Sequence, residues 1–493
     1  MIQSNLPALQ VVIPLLGAVL CALLRRGNAA WLLALVVSWT MPFVSGAMLA
    51  NVLVSGPISY ALGGWAPPWG IEYRVDVLSG FVLFLVSAVG AVLMPYARAS
   101  VGAEVDAAKQ PWFYTMYLLC LTGLLGIVIT GDAFNAFVFL EVSSLATYVL
   151  IALGKDRRAL LAAYQYLIMG TIGATLYVVG IGMLYSVTGT LNMVDLAQRL
   201  PAIEQTRPVY AALAFITVGI SLKLALFPLH VWLPNAYAYA PSMATVFLAA
   251  TATKVAVYLL LRFFFTVFGL HFVFESVPVG EIFIALSVAA MFGASLVAIF
   301  QEDIKRMLAY SSVAQIGYIT LGIGLANQAG LTGSIVHLFN HAIMKAALFM
   351  AIGAVFHRIG SVKIDDMAGI GRKMPATMGG FVIAGLAIIG TPGTVGFITK
   401  WHLAVGALDK GMGWLVFLLV LSSLLAVVYI GRVVEVAWFR EPGKAAANAG
   451  EPPMLMMTPM LILFVLAVYF GIDTSLTAGI ASRAAEILLT GPQ

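Results

Sequence analysis

The chain has 493 residues, of which 62% are hydrophobic and only 10% are charged, and its mean hydropathy is +1.01. This is more apolar material than a soluble globular core needs, so the composition excludes an ordinary soluble domain and indicates a polytopic membrane protein. The net charge of +5 could suggest nucleic-acid binding, but the basic residues form no stripe or tail, and we predict no nucleic-acid partner.

Runs of apolar residues predict the number of membrane spans, since each helical crossing needs about 20 such residues. The sequence predicts an all-α polytopic membrane protein with fourteen spans: 6–24, 30–53, 76–97, 112–131, 133–153, 160–187, 209–239, 241–266, 281–300, 307–326, 331–356, 377–409, 414–438 and 455–477. The first run lacks the basic segment of a signal peptide, so we interpret it as a retained helix. Cys21 and Cys120 both fall within spans and imply no disulfide.

The distribution of lysine and arginine predicts the orientation of the chain. If the first loop lies inside, fifteen of the 26 basic residues fall in inner connections, six on the outer side and five within spans. This bias predicts a multi-pass protein of a prokaryotic plasma (inner) membrane with both termini on the outer face.

The first half of the chain contains one acidic residue at membrane depth. Spans 1 to 3 carry almost no interior charge, and the Gly- and Pro-rich segment 54–75 is typical of an outer loop or hairpin. Span 5 then carries Glu141, which shares a helical face with Phe137, Ser144 and Tyr148. Such a polar stripe should face the protein interior, where Glu141 either takes part in transport or is satisfied by one interhelical hydrogen bond.

Two lysines and a histidine lie around the predicted spans 7 and 8. A lysine at the bilayer centre costs roughly 2.5 to 3.5 kcal/mol, whereas a Leu or Phe there returns only about 0.3 to 0.6 kcal/mol, which indicates that Lys223 and Lys254 do not serve stability. Desolvation disfavours the ammonium form and makes proton exchange near neutral pH possible. Pro228 and Pro234 predict a broken helix, and His230 in the break is either a proton relay or a hydrogen-bonded packing residue.

Spans 10 and 11 carry further polar residues. Lys305 and Arg306 stand at the inner end of span 10, where we expect them to reach the membrane interface. In span 11 His337, His341 and Lys345 are spaced i, i+4, i+8 and therefore share one face. The histidine spacing suits a metal, but no acid or cysteine nearby completes a site, so a proton-conducting row is the favoured interpretation and no metal is predicted.

Span 12 repeats the features of span 7. It is overlong, is interrupted by the Gly- and Pro-rich segment 390–396, and carries Lys400 after the break. Spans 7 and 12 are five apart, and an odd offset reverses the direction of crossing. This predicts two inverted five-helix repeats formed by spans 4–8 and 9–13, with helices 7 and 12 discontinuous.

The chain is predicted to divide into four units. Residues 1–110 form a peripheral set of three helices, residues 111–266 form the first repeat, residues 267–440 form the second repeat, and residues 441–493 contain the last helix. After residue 477 no further element of consequence is expected.

Five segments carry a resemblance to a known family: FPLHVWLPNAY (227–237), TKVAVY (253–258), DIKRMLAYSS (303–312), HLFNHAIMK (337–345) and GTPGTVGFITK (390–400). At these residues the chain resembles the antiporter-like subunits of Mrp-type sodium/proton antiporters, respiratory complex I and membrane-bound hydrogenases, and it looks most like the D subunits of the Mrp antiporters. The resemblance implies a proton path through Glu141, Lys223, Lys254 and Lys400. Lys400 and Asn235 depart from complex I members that have glutamate and aspartate there.

The resemblance implies a proton-translocating subunit of a multisubunit monovalent cation (Na+)/H+ antiporter. Its expected partners are other membrane subunits, the lipid bilayer, protons and a monovalent cation. The alternative is a proton-pumping subunit of a complex I-like or hydrogenase-type oxidoreductase. No CxxC pair, GxGxxG after a strand or flavin motif is present in the sequence, so we expect no cofactor and no enzymatic site of its own. A purely structural scaffold predicts apolar residues at 223, 254 and 400, and lysine stands at all three.

Overall fold

A computed structural model describes residues 3–447 and 449–491 of the chain. Over these residues the fold is nearly all helical. The α-helices are α1 Leu6–Leu23, α2 Gly27–Ser55, α3 Val77–Glu104, α4 Gln110–Ile129, α5 Ala133–Ala152, α6 Arg158–Thr188, α7 Met193–Arg199, α8 Arg207–Leu224, α9 Trp232–Tyr239, α10 Ser242–Leu261, α11 Val279–Ile299, α12 Ile304–Leu325, α13 Gln328–Ile359, α14 Pro375–Ile389, α15 Val395–Asp409, α16 Gly413–Val434, α17 Met454–Ile472 and α18 Ser475–Thr490.

The helices follow the predicted spans closely. Within the described residues, thirteen helices are long and apolar enough to cross a membrane. The predicted span 377–409 is present as α14 and α15, which have 15 residues each. The polytopic all-helical class is therefore confirmed, while the inverted repeat of spans 4–8 and 9–13 stays a prediction.

Both predicted helix breaks are present. After α8 the chain turns at Ala225, with φ of 61°, and begins α9 at Trp232. After α14 it turns at Gly390, with φ of 89°, and α15 begins at Val395. Such left-handed residues end a helix and let following amides bond its last carbonyls. The two breaks thus divide spans 7 and 12 into half-helices.

The centre of the molecule is built by α10, α12 and α13. The longest helix, α13, is buried along its whole apolar stretch. Around it pack α3, α10, α12, α15 and α18. In contrast, α1, α2, α16 and α17 expose much of their apolar surface. Polar side chains on α10, α12 and α13 therefore lie inside the protein, away from lipid.

The segment 54–75 forms a short hairpin, as the sequence predicts. Strand β1, Ile58–Ala61, pairs antiparallel with β2, Glu72–Val75, and Ile58 stands opposite Val75. The Asn192 amide donates to the buried carboxylate of Glu72 at 2.8 Å. The hairpin is thereby fixed to Asn192, the N-cap residue of the short helix α7.

The expectation that no element of consequence follows residue 477 is wrong. Helix α18, Ser475–Thr490, packs on α13 and α3 and buries Thr477, Ile480, Ala481, Ala484, Ala485 and Leu488. These residues recur at helical spacing, but most of them are small and the helix is only moderately apolar. The sequence therefore contains no continuous hydrophobic run that would predict this helix. The described part of the segment 441–493 accordingly contains two α-helices, α17 and α18.

Candidate functional site

Lys223 lies at the end of α8, immediately before the first break, and faces α5. Its Nζ donates a hydrogen bond to Ser144 Oγ at 2.7 Å and lies 3.8 Å from Glu141 Oε1. The Lys223 side chain is 7% exposed, so the lysine end of the ion pair is buried. The polar face predicted on α5 therefore contacts the first buried lysine.

Glu141 reaches both the protein interior and its lateral surface. Its side chain is 27% exposed, whereas that of Lys223 is nearly buried. Around it on α5 the apolar residues Phe134, Val138 and Leu145 are exposed. A partly exposed carboxylate at membrane depth is costly next to lipid. A polar group of another membrane protein would therefore fit this surface better than lipid does.

Lys254 is fully buried in α10. Its Nζ donates to the Ala249 carbonyl oxygen and, at 3.4 Å, to Thr253 Oγ1. Among the described residues no acidic side chain forms an ion pair with it. Its helix, α10, packs directly against α13, which carries His337, His341 and Lys345. Lys254 thus stands beside the polar row of α13.

His337, His341 and Lys345 form a continuous row along α13. The two imidazole rings are nearly parallel, at 2°, with centroids 5.4 Å apart. His337 Nδ1 lies 2.9 Å from Thr399 Oγ1, and Lys345 Nζ donates to the Leu308 carbonyl at 2.8 Å and to Ser311 Oγ. Within the described part of the chain, His337 Nε2 and both ring nitrogens of His341 have no hydrogen-bond partner. The row is buried and polar, and three of its ring nitrogens have no partner among the described residues.

Lys400 follows the second break and reaches back across it. Its Nζ donates to the Ile389 carbonyl at 2.5 Å and to Ser423 Oγ at 2.6 Å. It also lies 5.0 Å from the ring centre of Tyr318, whose own centroid is 6.3 Å from that of His337. Tyr318 and Thr399 therefore stand between the α13 row and Lys400.

His230 lies apart from this arrangement. It occupies the turn between α8 and α9, where its ring stacks on Phe227 at 5.1 Å and meets Tyr310 at 6.2 Å. No hydrogen bond or ion pair among the described residues joins it to the lysines. The packing interpretation fits this position better than that of a relay within the row, although its Nδ1 has no partner in the described structure.

Each buried lysine donates to a Ser or Thr hydroxyl. The pairs are Lys223 with Ser144, Lys254 with Thr253, Lys305 with Ser242, Lys345 with Ser311, and Lys400 with Ser423. A hydroxyl accepts a hydrogen bond from an ammonium and donates one to a neutral amine, so the contact survives loss of the proton. Of these partners only Ser144 belongs to a polar face that the sequence predicts; the other four were missed because three of them lie on other helices than their lysine, where spacing gives no signal.

The expectation for Lys305 is also wrong. The residue is 3% exposed and does not reach the interface, because its Nζ donates to Ser242 Oγ at 3.0 Å. Its neighbour Arg306 turns inward too, donating at 2.7 Å to Asn235, whose amide bonds Gln165 at 2.9 Å. The packing of α12 against α9 and α10, which the sequence does not reveal, determines both positions.

Comparisons with known proteins agree with this architecture. A family model described as "NADH:quinone oxidoreductase/Mrp antiporter, TM" matches residues 130–426. The N subunit of NADH-quinone oxidoreductase from Desulforudis audaxviator (strain MP104C) is 42% identical, over 95% of this chain and 96% of that protein. The D subunit of the Na(+)/H(+) antiporter from Bacillus subtilis (strain 168) is 27% identical, over 99% and 98%. Among solved structures, a chain of the Mrp complex from Dietzia sp. DQ12-45-1b superposes with a TM-score of 0.89 at 26% identity, over 99% of this chain and 98% of that one.

Proposed function

Because this chain belongs to the NADH:quinone oxidoreductase/Mrp antiporter transmembrane family, we propose that it is the proton-translocating subunit of a multisubunit Na+/H+ antiporter. Protons move through a buried row of glutamate, lysine and histidine side chains at membrane depth. The observation that carries the proposal is the contact of Lys223 with Ser144 and Glu141, since a buried lysine beside an acid can hold or release a proton according to the state of that acid.

A small cavity beside Lys223 supports proton exchange at this lysine. It has a volume of about 30 Å³ and is lined by Lys223, Ser144 and Thr147 and by apolar residues of α10 that include Ala252. This is room for one water molecule with polar partners on the Lys223 side. Helix α10, which carries Lys254, packs against α13, and the α13 row leads through Tyr318 to Lys400.

The partners are other membrane subunits, and Glu141 is the residue that we expect one of them to cover. Its partly exposed carboxylate lies on a surface of otherwise apolar side chains. A neighbouring subunit with a polar or basic group at that depth would remove the cost of leaving the acid beside lipid. Coupling to Na+ is proposed from the resemblance to the Bacillus subtilis antiporter protein.

Proton flux in everted membrane vesicles tests this function. Lys223→Ala and Glu141→Ala should each abolish Na+-dependent proton movement while the complex still assembles. Lys109→Ala is a matched control, because Lys109 forms an exposed ion pair with Asp106 outside the row. Normal Na+-dependent flux in both Lys223→Ala and Glu141→Ala would refute the proposal.

A second candidate is a proton-pumping subunit of a redox-driven complex. The 42% identity to the N subunit of an NADH-quinone oxidoreductase favours it. In that case the same row carries protons, and the driving reaction takes place on other chains. Purification of the chain from native membranes distinguishes the two: small antiporter subunits support the first proposal, and redox subunits support the second.

A further inference from the structure

A second polar cluster lies outside the row from Glu141 to Lys400, at the predicted inner face. Here a cavity of about 170 Å³ opens where the ends of α3, α5, α9 and α12 meet. Glu104 and Lys305 line its deep side, and Lys155, Asp156 and Arg158 line its rim. The function proposed above does not use this cluster.

Ser242 joins the two charged groups of the cavity. The Glu104 carboxylate accepts hydrogen bonds from the Ser242 amide at 2.8 Å and from its hydroxyl at 3.0 Å, and Ser100 Oγ donates to the other carboxylate oxygen at 2.8 Å. Lys305 Nζ donates to the same Ser242 hydroxyl at 3.0 Å. One hydroxyl therefore links the carboxylate and the amine that together line the deep side of the cavity.

Lys305 lies on the face of α12 that contacts Lys345 of the α13 row. Lys305, Leu308 and Ser311 follow one another at helical spacing on one face of α12. Lys345 Nζ bonds the Leu308 carbonyl and the Ser311 hydroxyl of that face. From Lys305 to Ser311 the helix rises only about 9 Å, at roughly 1.5 Å per residue. The cavity is thus two turns of helix from the inner end of the row.

The geometry points to Glu104, Ser242 and Lys305 as a proton-uptake site that loads the Lys345, His341 and His337 row from the inner face. This inference rests on the proposed function. A proton from the cavity binds the Glu104 carboxylate. The acid then gives it to Ser242 Oγ as the Ser242 hydroxyl proton passes to neutral Lys305, which leaves a carboxylate and an ammonium. Lys305 returns to the neutral amine when the proton moves on to Lys345.

Other titratable groups also face this site. Asp303 precedes Lys305 by two residues and interacts with it, and His357 of α13 interacts with Glu104. A structural alternative is that Glu104 and Lys305 only clamp α3 and α12 onto the start of α10. The two interpretations differ in one respect: a clamp needs the hydrogen bonds, whereas uptake needs groups that gain and lose protons.

Everted vesicles test the inference, because their inner face contacts the bath. Lys305→Arg keeps the cation and its donors but does not release a proton, and Glu104→Gln keeps an acceptor for Ser242 but does not bind one. Both should assemble normally and lower Na+-dependent proton flux by ~100-fold, within the range for loss of a positioned proton-transfer group. The residual flux of Glu104→Gln should depend less steeply on bath pH. Lys109→Arg, in an exposed ion pair with Asp106 outside the cavity, is the matched control and should transport normally.

Wild-type flux in both Lys305→Arg and Glu104→Gln would overturn the uptake site. If Lys305→Arg assembles poorly, the nearly isosteric Glu104→Gln decides alone, with flux normalised to the amount of assembled chain. Lys223→Ala in the same series separates the two proposals. If it loses flux while Lys305→Arg and Glu104→Gln keep it, only the uptake site fails; if it keeps flux, the proposed function itself fails.

Discussion

The ammonium nitrogen of Lys400 lies 2.5 Å from the carbonyl oxygen of Ile389, the last residue of half-helix α14. The last carbonyls of a helix have no intrahelical partner and carry partial negative charge. The break after α14 therefore creates the acceptor that the lysine of α15 occupies. The lysine and the break form one structural unit.

Replacing Lys400 should affect both stability and transport. Lys400→Met leaves the partly buried Ile389 carbonyl without this partner, which costs about 1 kcal/mol, and it removes a proton-binding group. We expect a lower unfolding temperature in detergent and no Na+-dependent proton flux. Lys400→Arg should recover the stability but not the flux. Lys410→Met, at the exposed end of α15, is the control, and wild-type flux in Lys400→Met would contradict the prediction.

The Ser144 hydroxyl should matter because it is the closest partner of Lys223, at 2.7 Å. Ser144→Ala removes the acceptor and leaves the ammonium with the more distant Glu141 carboxylate, so we expect roughly tenfold slower flux from the loss of a hydrogen bond to a charged group, worth about 1.5 kcal/mol. Ser144→Thr should restore the rate. The neighbouring Ser143→Ala tests specificity, because Ser143 Oγ bonds only the Leu140 carbonyl of its own helix. Equal rates for Ser144→Ala and Ser143→Ala would refute this role.

The sequence identifies the charged members of the candidate site but not their neighbours. Lys223, Lys254 and Lys400 stand out because a charge inside an apolar run is rare and costly. Pro228 and the glycines after Ile389 predict the two helix breaks. Apart from Ser144 on the polar face of span 5, the hydroxyl partners give no such signal, since Ser and Thr are common in spans.

Burial of Lys305 and formation of α18 depend on tertiary packing. Lys305 stands at the end of a span, a position from which lysine usually reaches water, and contacts with Ser242 of α10 and the ring of Phe356 hold it inside. Helix α18 buries small residues such as Ala481 and Ala484 against α13, so its apolar face is narrow. Neither feature follows from local pattern alone.

Asp76 should stabilise the chain in a pH-dependent manner. Asp76 caps α3 and pairs with Arg262. Burial raises the pKa of this carboxyl, but the Arg262 charge and the hydrogen bonds from Arg262 and Ser79 lower it by more, so the pKa lies below its usual value. Its stabilising contribution is therefore complete at neutral pH and is lost as the pH falls through the lowered pKa.

Asp76→Asn should lower the free energy of unfolding at pH 7 by about 3 kcal/mol, since it leaves a buried guanidinium without its counterion. The difference between the variant and the wild type should shrink in acid, as measured by thermal unfolding across pH. Asp106→Asn removes the exposed ion pair with Lys109 and should change stability by less than about 1 kcal/mol. A difference that stays constant with pH would contradict the assignment.

Helix α18 should be needed for a stable chain. Ala481 and Ala485 lie on its buried face, so Ala481→Arg forces a charge into the contact with α13. We expect much less chain in the membrane and a lower unfolding temperature. Leu476→Arg, at an exposed position of the same helix, should be tolerated. Equal levels of the two variants would show that the packing of α18 contributes little.

The most direct test of the central claim, that protons pass through the buried lysine row, is the Na+-dependent proton flux of Lys254→Arg in everted vesicles. Lys254 is fully buried and has no acidic partner among the described residues, so the change keeps a positive charge and hydrogen-bond donors and removes the ability to release a proton. The proposed function predicts an assembled complex without Na+-dependent flux. Wild-type flux in assembled Lys254→Arg would contradict it.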